Sequence, residues 1–182
     1  MNTPRVRAWL LVAALYGAVL STLGIAPDLS RTLTDRGLLD AVFGLAVLVV
    51  VVVLVAAGAG RRAGWVGLAL TLGTVSVAAL LVVRAAIPAA ERTHLVEYAV
   101  LAVAVLAALE AGEGRRDASW RHLAGAAVIT TMLGVIDEGV QAVIPNRVMD
   151  PVDMLFNAFA AVGAMAVVGL LRALPRRRSG ST

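Results

Sequence analysis

The 182-residue chain has no cysteine. Disulfides, thiolate metal sites and cysteine nucleophiles are therefore excluded. Lysine is also missing, so all 16 basic residues are arginine. With abundant alanine and valine, this reflects GC-rich bacterial codon usage rather than a chemical requirement. Charge is sparse, at 15% of residues, and aromatics make up only 4%. What remains is apolar: 60% of the chain, with a mean hydropathy of +0.88. A soluble domain of this length cannot hide so many long apolar runs, whereas a bilayer accepts them as its solvent-facing surface. The net charge of +4 and pI near 10.9 would suggest nucleic acid in a soluble protein. Here the arginines gather in short connections and at the C-terminus, the ordinary topogenic pattern, and no nucleic-acid partner is expected.

A membrane-spanning helix needs about 20 mostly apolar residues. Six such segments are expected, at 8–25, 38–57, 64–83, 91–109, 120–138 and 151–171, with Gly, Pro and charged residues punctuating 58–62, 85–90 and 111–119. Strands cannot cross lipid singly without leaving backbone groups unpaired. The expected fold class is thus all-α, a polytopic transmembrane helical bundle of about six spans. The first segment has features of a signal peptide: Arg5 and Arg7 precede an apolar run, and Gly24-Ile25-Ala26 imitates a cleavage site. The run is long and Pro27 would follow the cut, so it is read as a retained span. Leu29 and Leu33, one turn apart, suggest a short interfacial helix over Pro27–Arg36.

Arginine counting sets the orientation. With both termini inside, eleven arginines fall on the cytoplasmic side and five outside, at Arg31, Arg36, Arg84, Arg92 and Arg147. The expected location is the bacterial cell membrane, multi-pass, with both termini cytoplasmic. Acids are distributed the opposite way, with only Glu110, Glu113 and Asp117 of the twelve inside. Because acids contribute little to topology, the asymmetry calls for another explanation.

Depth counting supplies one. About 20 residues back from Leu109 reaches Ala90, which puts His94 and Glu97 within the outer part of the membrane and on one helix face. The segment entering at Trp120 reaches Asp137-Glu138 at the same depth, with Gln141 one turn further. Counting back from Leu171 places Asp153 at the outer edge and Asn157 a turn deeper. A charge in lipid costs at least about 2.5 kcal/mol on insertion scales, so such groups face a bundle interior or a water-filled cavity. One polar pocket open to the outer leaflet is the economical reading, with Arg147 reaching it from the last loop.

These residues also resemble a known family. Glu91-Arg92-Thr93-His94-Leu95-Val96-Glu97-Tyr98, then Asp137-Glu138-Gly139-Val140-Gln141, then Pro145-Asn146-Arg147 with Asp153 and Asn157, look like the signature of VanZ-like membrane proteins. The resemblance covers about Ile87 to Leu171. It implies a VanZ-like core of three spans over 87–172; the apolar segments give an N-terminal transmembrane region of three spans over 1–86, which carries no specific motif, and the terminal arginines a basic cytoplasmic tail over 173–182. Many members carry Asp-Lys ahead of the histidine, where this chain has Ala90 and Glu91; Arg92 offers a positive charge one residue later. Where the family often has Gly three residues after the Asn, this chain has Ala160. Family members are linked to low-level resistance to the glycopeptide teicoplanin, without a settled biochemical activity.

Each candidate has a functional and a structural reading. His94 with Glu97 makes a general base or metal ligand oriented by a carboxylate, or a structural ion pair. Asp137 and Glu138, with Gln141 and Asp153, make a hard-cation site or a solvated interface; the metal and any cofactor are unknown. Asp150-Pro151-Val152-Asp153 is a good helix start, which divides Asp153 between capping and the site. Asn157 wants partners from neighbouring helices. Arg147, and Arg92 behind it, suit an anionic headgroup or phosphate, or else a salt bridge to Asp150 or Glu138. The terminal Arg176–Arg178 suits anionic lipid headgroups.

Two functions fit. One is modification of an amphiphile at the outer leaflet, such as a lipid-linked envelope precursor, with His94, Glu97, Asp137 and Glu138 as the chemical groups and Gln141, Arg147, Asp153, Asn157 and Arg92 as substrate contacts. The other is non-catalytic binding, flipping or transport of a lipid or an envelope-active antibiotic such as a glycopeptide. Membrane lipids are partners in both.

Overall fold

The computed structural model describes residues 3–58, 75, 89–111, 120–145 and 149–173, and only the backbone of residues 26, 27, 58 and 89–93. Six helices are defined among the described residues, with no strand. They are α1 (Thr3–Thr22), α2 (Ala26–Asp35), α3 (Leu39–Gly58), α4 (Ala89–Glu110), α5 (Trp120–Gln141) and α6 (Pro151–Ala173). The expected third span, 64–83, lies outside the described residues apart from Val75, and the basic tail lies outside beyond residue 173.

Helices α1, α3, α5 and α6 are long and apolar enough to cross a membrane. α1 begins earlier than the apolar run, because the apolar stems of Arg5 and Arg7 let the guanidiniums reach water without ending the helix. The expected interfacial segment is α2. It ends in a Schellman motif: Leu38 N–H donates to Leu33 C=O at 2.9 Å, Gly37 N–H to Thr34 C=O at 2.9 Å. Gly37 supplies the required left-handed backbone, with φ of 63°.

α4 is the hub, packed against α1, α3, α5 and α6. Tyr98, Leu101, Ala102, Val105, Leu106 and Ala108 along it are all buried. α5 and α6 lie close because small residues face each other. A Cβ on Gly134 would sit 2.8 Å from Asn157 Cβ, closer than carbon atoms tolerate. Such small-residue contacts drive helix association in lipid, where no hydrophobic force acts between helices.

The burial pattern is inverted relative to a soluble protein. Leu10, Leu45, Leu48, Val128, Met132, Leu155 and Leu170 are exposed, while His94, Thr130, Asp137, Glu138, Gln141 and Asn157 are buried. A large apolar outer surface needs an apolar medium to cover it. The same medium forces polar side chains inward.

Candidate functional site

The site begins with one face of α5. Ala126, Thr130, Gly134, Asp137, Glu138 and Gln141 recur at steps of three and four, and all are buried. Small residues occupy the half nearer Trp120, and acids and an amide the half nearer Gln141.

Asp137 is fully enclosed and faces α4, where His94 Nδ1 stands 3.8 Å from its Oδ2. That is ion-pair range, longer than a direct hydrogen bond. Tyr98, one turn along α4, stacks on the imidazole with 6.2 Å between ring centroids and 29° between planes. The Tyr98 hydroxyl lies beside the Asp137 carboxylate. From α1, Tyr16 donates its hydroxyl to the Leu133 carbonyl at 2.9 Å, one turn before Asp137. Three helices therefore converge on the His94–Asp137 pair. A carboxylate against Nδ1 orients the ring, so that Nε2 is the atom turned away from Asp137.

Glu138 is committed to the fold. Its Oε1 accepts from Gln141 Nε2 at 2.8 Å and its Oε2 from the Asp150 backbone N–H at 3.0 Å. These bonds tie the end of α5 to the start of α6. Asp150 in turn caps α6, its Oδ1 accepting from Val152 N–H at 2.8 Å, with Pro151 as the first helical residue. Asp153, half-buried in the first turn of α6, lies within electrostatic reach of Glu138.

Asn157 sits one turn deeper than Asp153 on the same face of α6 and is 0% exposed. It rests on Gly134, and among the described residues neither its Oδ1 nor its Nδ2 has a hydrogen-bond partner. The buried Thr130 hydroxyl, one turn from Gly134, likewise has no partner among the described residues. Such groups are rare in native interiors, and each calls for a reason such as a water, a ligand or a functional role.

The expected site residues thus divide. His94 and Asp137 form one centre, and Glu138, Gln141 and Asp153 a second beside it, with Asn157 below. Glu97 is half-buried on α4, one turn from His94. Arg92 has only its backbone described and Arg147 lies outside the described residues. Among the described residues, no group of three or more His, Asp or Glu is arranged to hold a metal ion.

Sequence reasoning missed Tyr16, which carries no local signal because its acceptor lies 117 residues away. It also missed a pair at the other end of the bundle. Arg172 of α6 pairs with Glu110 of α4 through both terminal guanidinium nitrogens and both carboxylate oxygens, and donates from Nε and Nη2 to the Ala57 carbonyl of α3. Both side chains are about nine-tenths buried, at 8% and 10% exposure. The signal was available: counting residues along α4 and α6 from the ends that carry His94 and Asn157 brings both residues to the same level.

No protein-family model, curated protein or solved structure matches the chain.

Proposed function

We propose that the chain is a VanZ-like integral membrane protein of about six spans, with both termini cytoplasmic, whose polar pocket at the extracytoplasmic face modifies a lipid-linked cell-envelope component. The observation that carries this reading is the buried His94–Asp137 pair, held by Tyr98 and Tyr16 inside a bundle whose outer surface is apolar. Burying an ionisable pair at this depth is costly, and intramembrane ionisable residues are functional by default. α4, at 22 residues, is long enough to be a further span. The VanZ-like motif supports the same residues from sequence.

In this reading His94 takes a proton from water or a substrate hydroxyl, and Asp137 stabilises the imidazolium that results. Glu97 lies one turn from the base. Arg147 and Arg92 hold the anionic part of the headgroup. Glu138 and Gln141 shape the pocket by fixing α6, which presents Asp153 and Asn157. The chemistry is hydrolysis or transfer of a phosphoryl or acyl group, with altered envelope precursors as the route to teicoplanin tolerance.

The test is a glycopeptide susceptibility assay of cells expressing wild type, His94→Ala, Asp137→Asn or Arg147→Ala at equal membrane levels. Loss of tolerance in all three variants is the expected result. Wild-type behaviour in all three sinks the proposal. Tolerance that tracks binding of the glycopeptide without precursor turnover selects the non-catalytic reading instead.

A further inference from the structure

The face of α5 that carries Asp137 continues toward Trp120 as a line of small and polar residues. Thr130 and Asp137 stand seven residues, two turns, apart and so share one side of the helix. Gly134, between them, has no side chain, and Asn157 of α6 packs into that gap. Both neighbouring helices run antiparallel to α5, as two further contacts fix: a Cβ on Gly125 would meet Leu109 of α4, and one on Gly169 of α6 would meet Leu123. Counting from the His94–Asp137 and Asn157–Gly134 contacts then sets Leu101 of α4 and Ala161 of α6 opposite Thr130. Thr130, Asn157 and Ala161 are each 0% exposed and Leu101 is 1% exposed, so this is sealed interior walled by α4, α5 and α6.

Three polar atoms in this interior have no hydrogen-bond partner among the described residues: Thr130 Oγ1, Asn157 Oδ1 and Asn157 Nδ2. A helical threonine can return its hydroxyl to a carbonyl one turn back. Thr22, Thr32 and Thr34 do so, to Val19, Asp28 and Ser30 at 2.8 Å. Thr130 does not, which leaves its hydroxyl for another partner. Asn157 is too far away to be that partner, because one turn, about 6 Å of axis, separates Thr130 from the Gly134 on which Asn157 rests. That distance is near the span of two hydrogen bonds in series through one water.

The chemistry of the three atoms selects the occupant. Asn157 Nδ2 offers only protons, Oδ1 only lone pairs, and the Thr130 hydroxyl either. A hard metal cation takes oxygen ligands and is repelled by the amide N–H. Water donates and accepts, and a buried water makes about three hydrogen bonds to polar groups otherwise left unsatisfied. We infer that an internal water bridges the Thr130 hydroxyl and the Asn157 amide. It carries the polar centre two turns deeper into the bundle than Asp137, and it stands independently of the reaction proposed for the His94–Asp137 pair.

X-ray radiolytic footprinting of the full-length protein in phosphatidylethanolamine–phosphatidylglycerol vesicles tests it. Radiolysis splits a bound water where it sits, and the hydroxyl radical oxidises the side chains around it before it can diffuse away. Leu101 is the reporter. Leu106, the same residue type on the same helix and equally buried at 1% exposure, is the control away from the site. Oxidation, mapped by peptide mass spectrometry, should be well above the Leu106 level at Leu101 in wild type. It should fall to the Leu106 level in Thr130→Val and in Asn157→Leu, and persist in Thr130→Ser, which keeps the hydroxyl.

Leu101 oxidised no more than Leu106 in wild type overturns the inference, because no water is then present. So does Leu101 oxidation undiminished in Thr130→Val, since bulk water entering by local opening does not need that hydroxyl. Oxidation at Leu101 that appears only when sodium is replaced by N-methylglucamine assigns the space to a cation and overturns it as well. Thr130→Val exchanges one hydroxyl for a methyl at constant shape, so it remains decisive if Asn157→Leu fails to fold. Precursor turnover in His94→Ala, measured separately, bears on the functional reading and leaves this inference untouched.

Discussion

Gly134→Ala tests the geometry on which the site depends. The new Cβ would stand 2.8 Å from Asn157 Cβ and 3.1 Å from Asn157 Nδ2. Non-bonded carbons prefer roughly 3.5–4.0 Å, so α5 and α6 must separate by most of an ångström. The near atom is a Cβ fixed to the backbone of α6, and no side-chain rotation relieves it. Overpacking of this kind costs about 1–3 kcal/mol, against a gain of about 1 kcal/mol from replacing glycine by alanine in a helix. The net is a loss of up to about 2 kcal/mol, read as a fall of several degrees in Tm at roughly 2–4 °C per kcal/mol for a chain of this size. The assay is thermal unfolding of purified protein in detergent. Asn157→Gly removes the opposing Cβ, so in a double-mutant cycle the pair should show favourable coupling of about 1 kcal/mol or more. If Gly134→Ala is stabilised by the full helix-propensity gain and shows no coupling to Asn157→Gly, then α5 and α6 do not meet there, and the placement of Asn157 beneath Asp137 fails with it.

Three further predictions follow from the same contacts. Asn157→Leu, nearly isosteric, removes a buried amide with no partner among the described residues and should raise stability by about 1–2 kcal/mol in denaturant or thermal unfolding while abolishing the glycopeptide tolerance proposed for the chain; destabilisation would mean that the amide is bonded within the fold. Arg172→Ala leaves the buried Glu110 carboxylate unpaired and should cost about 3–5 kcal/mol, with Glu110→Gln in the same chain restoring much of it; an unchanged Tm in the single variant would show that the pair contributes no net stability. The chain has no native cysteine, so single cysteines report topology without background. A membrane-impermeant maleimide should label Ala142→Cys in intact cells and Ala111→Cys only after lysis, and the reverse pattern would invert the orientation.

Much of the helical framework was legible because membrane helices announce themselves by length and apolarity. Segments expected at 120–138 and 151–171 are α5 (Trp120–Gln141) and α6 (Pro151–Ala173), and the cap at Asp150-Pro151 follows from local chemistry alone. The common level of His94 and Asp137 was legible too, since 1.5 Å per residue fixes level along a helix. Which faces meet was not. The sequence offered Glu97 as the acid beside His94, because spacing reveals only neighbours on the same helix. The carboxylate opposite the ring is Asp137, supplied by another helix through a crossing that local spacing does not encode. Glu138 shows the same limit: its neighbour Asp137 suggests a paired acid site, while its two hydrogen bonds, one of them to a backbone N–H twelve residues away, make it a clamp between helices.

The central claim is that the enclosed His94–Asp137 pair performs chemistry on a lipid-linked molecule at the outer end of the bundle. The most direct measurement is turnover of a radiolabelled lipid-linked envelope precursor by purified full-length protein in vesicles, comparing wild type with His94→Ala and Asp137→Asn. Turnover by wild type, with at least a hundredfold loss in His94→Ala as general acid–base catalysis implies (~10²–10⁴-fold), is the predicted result. Equal rates in wild type and both variants would contradict it.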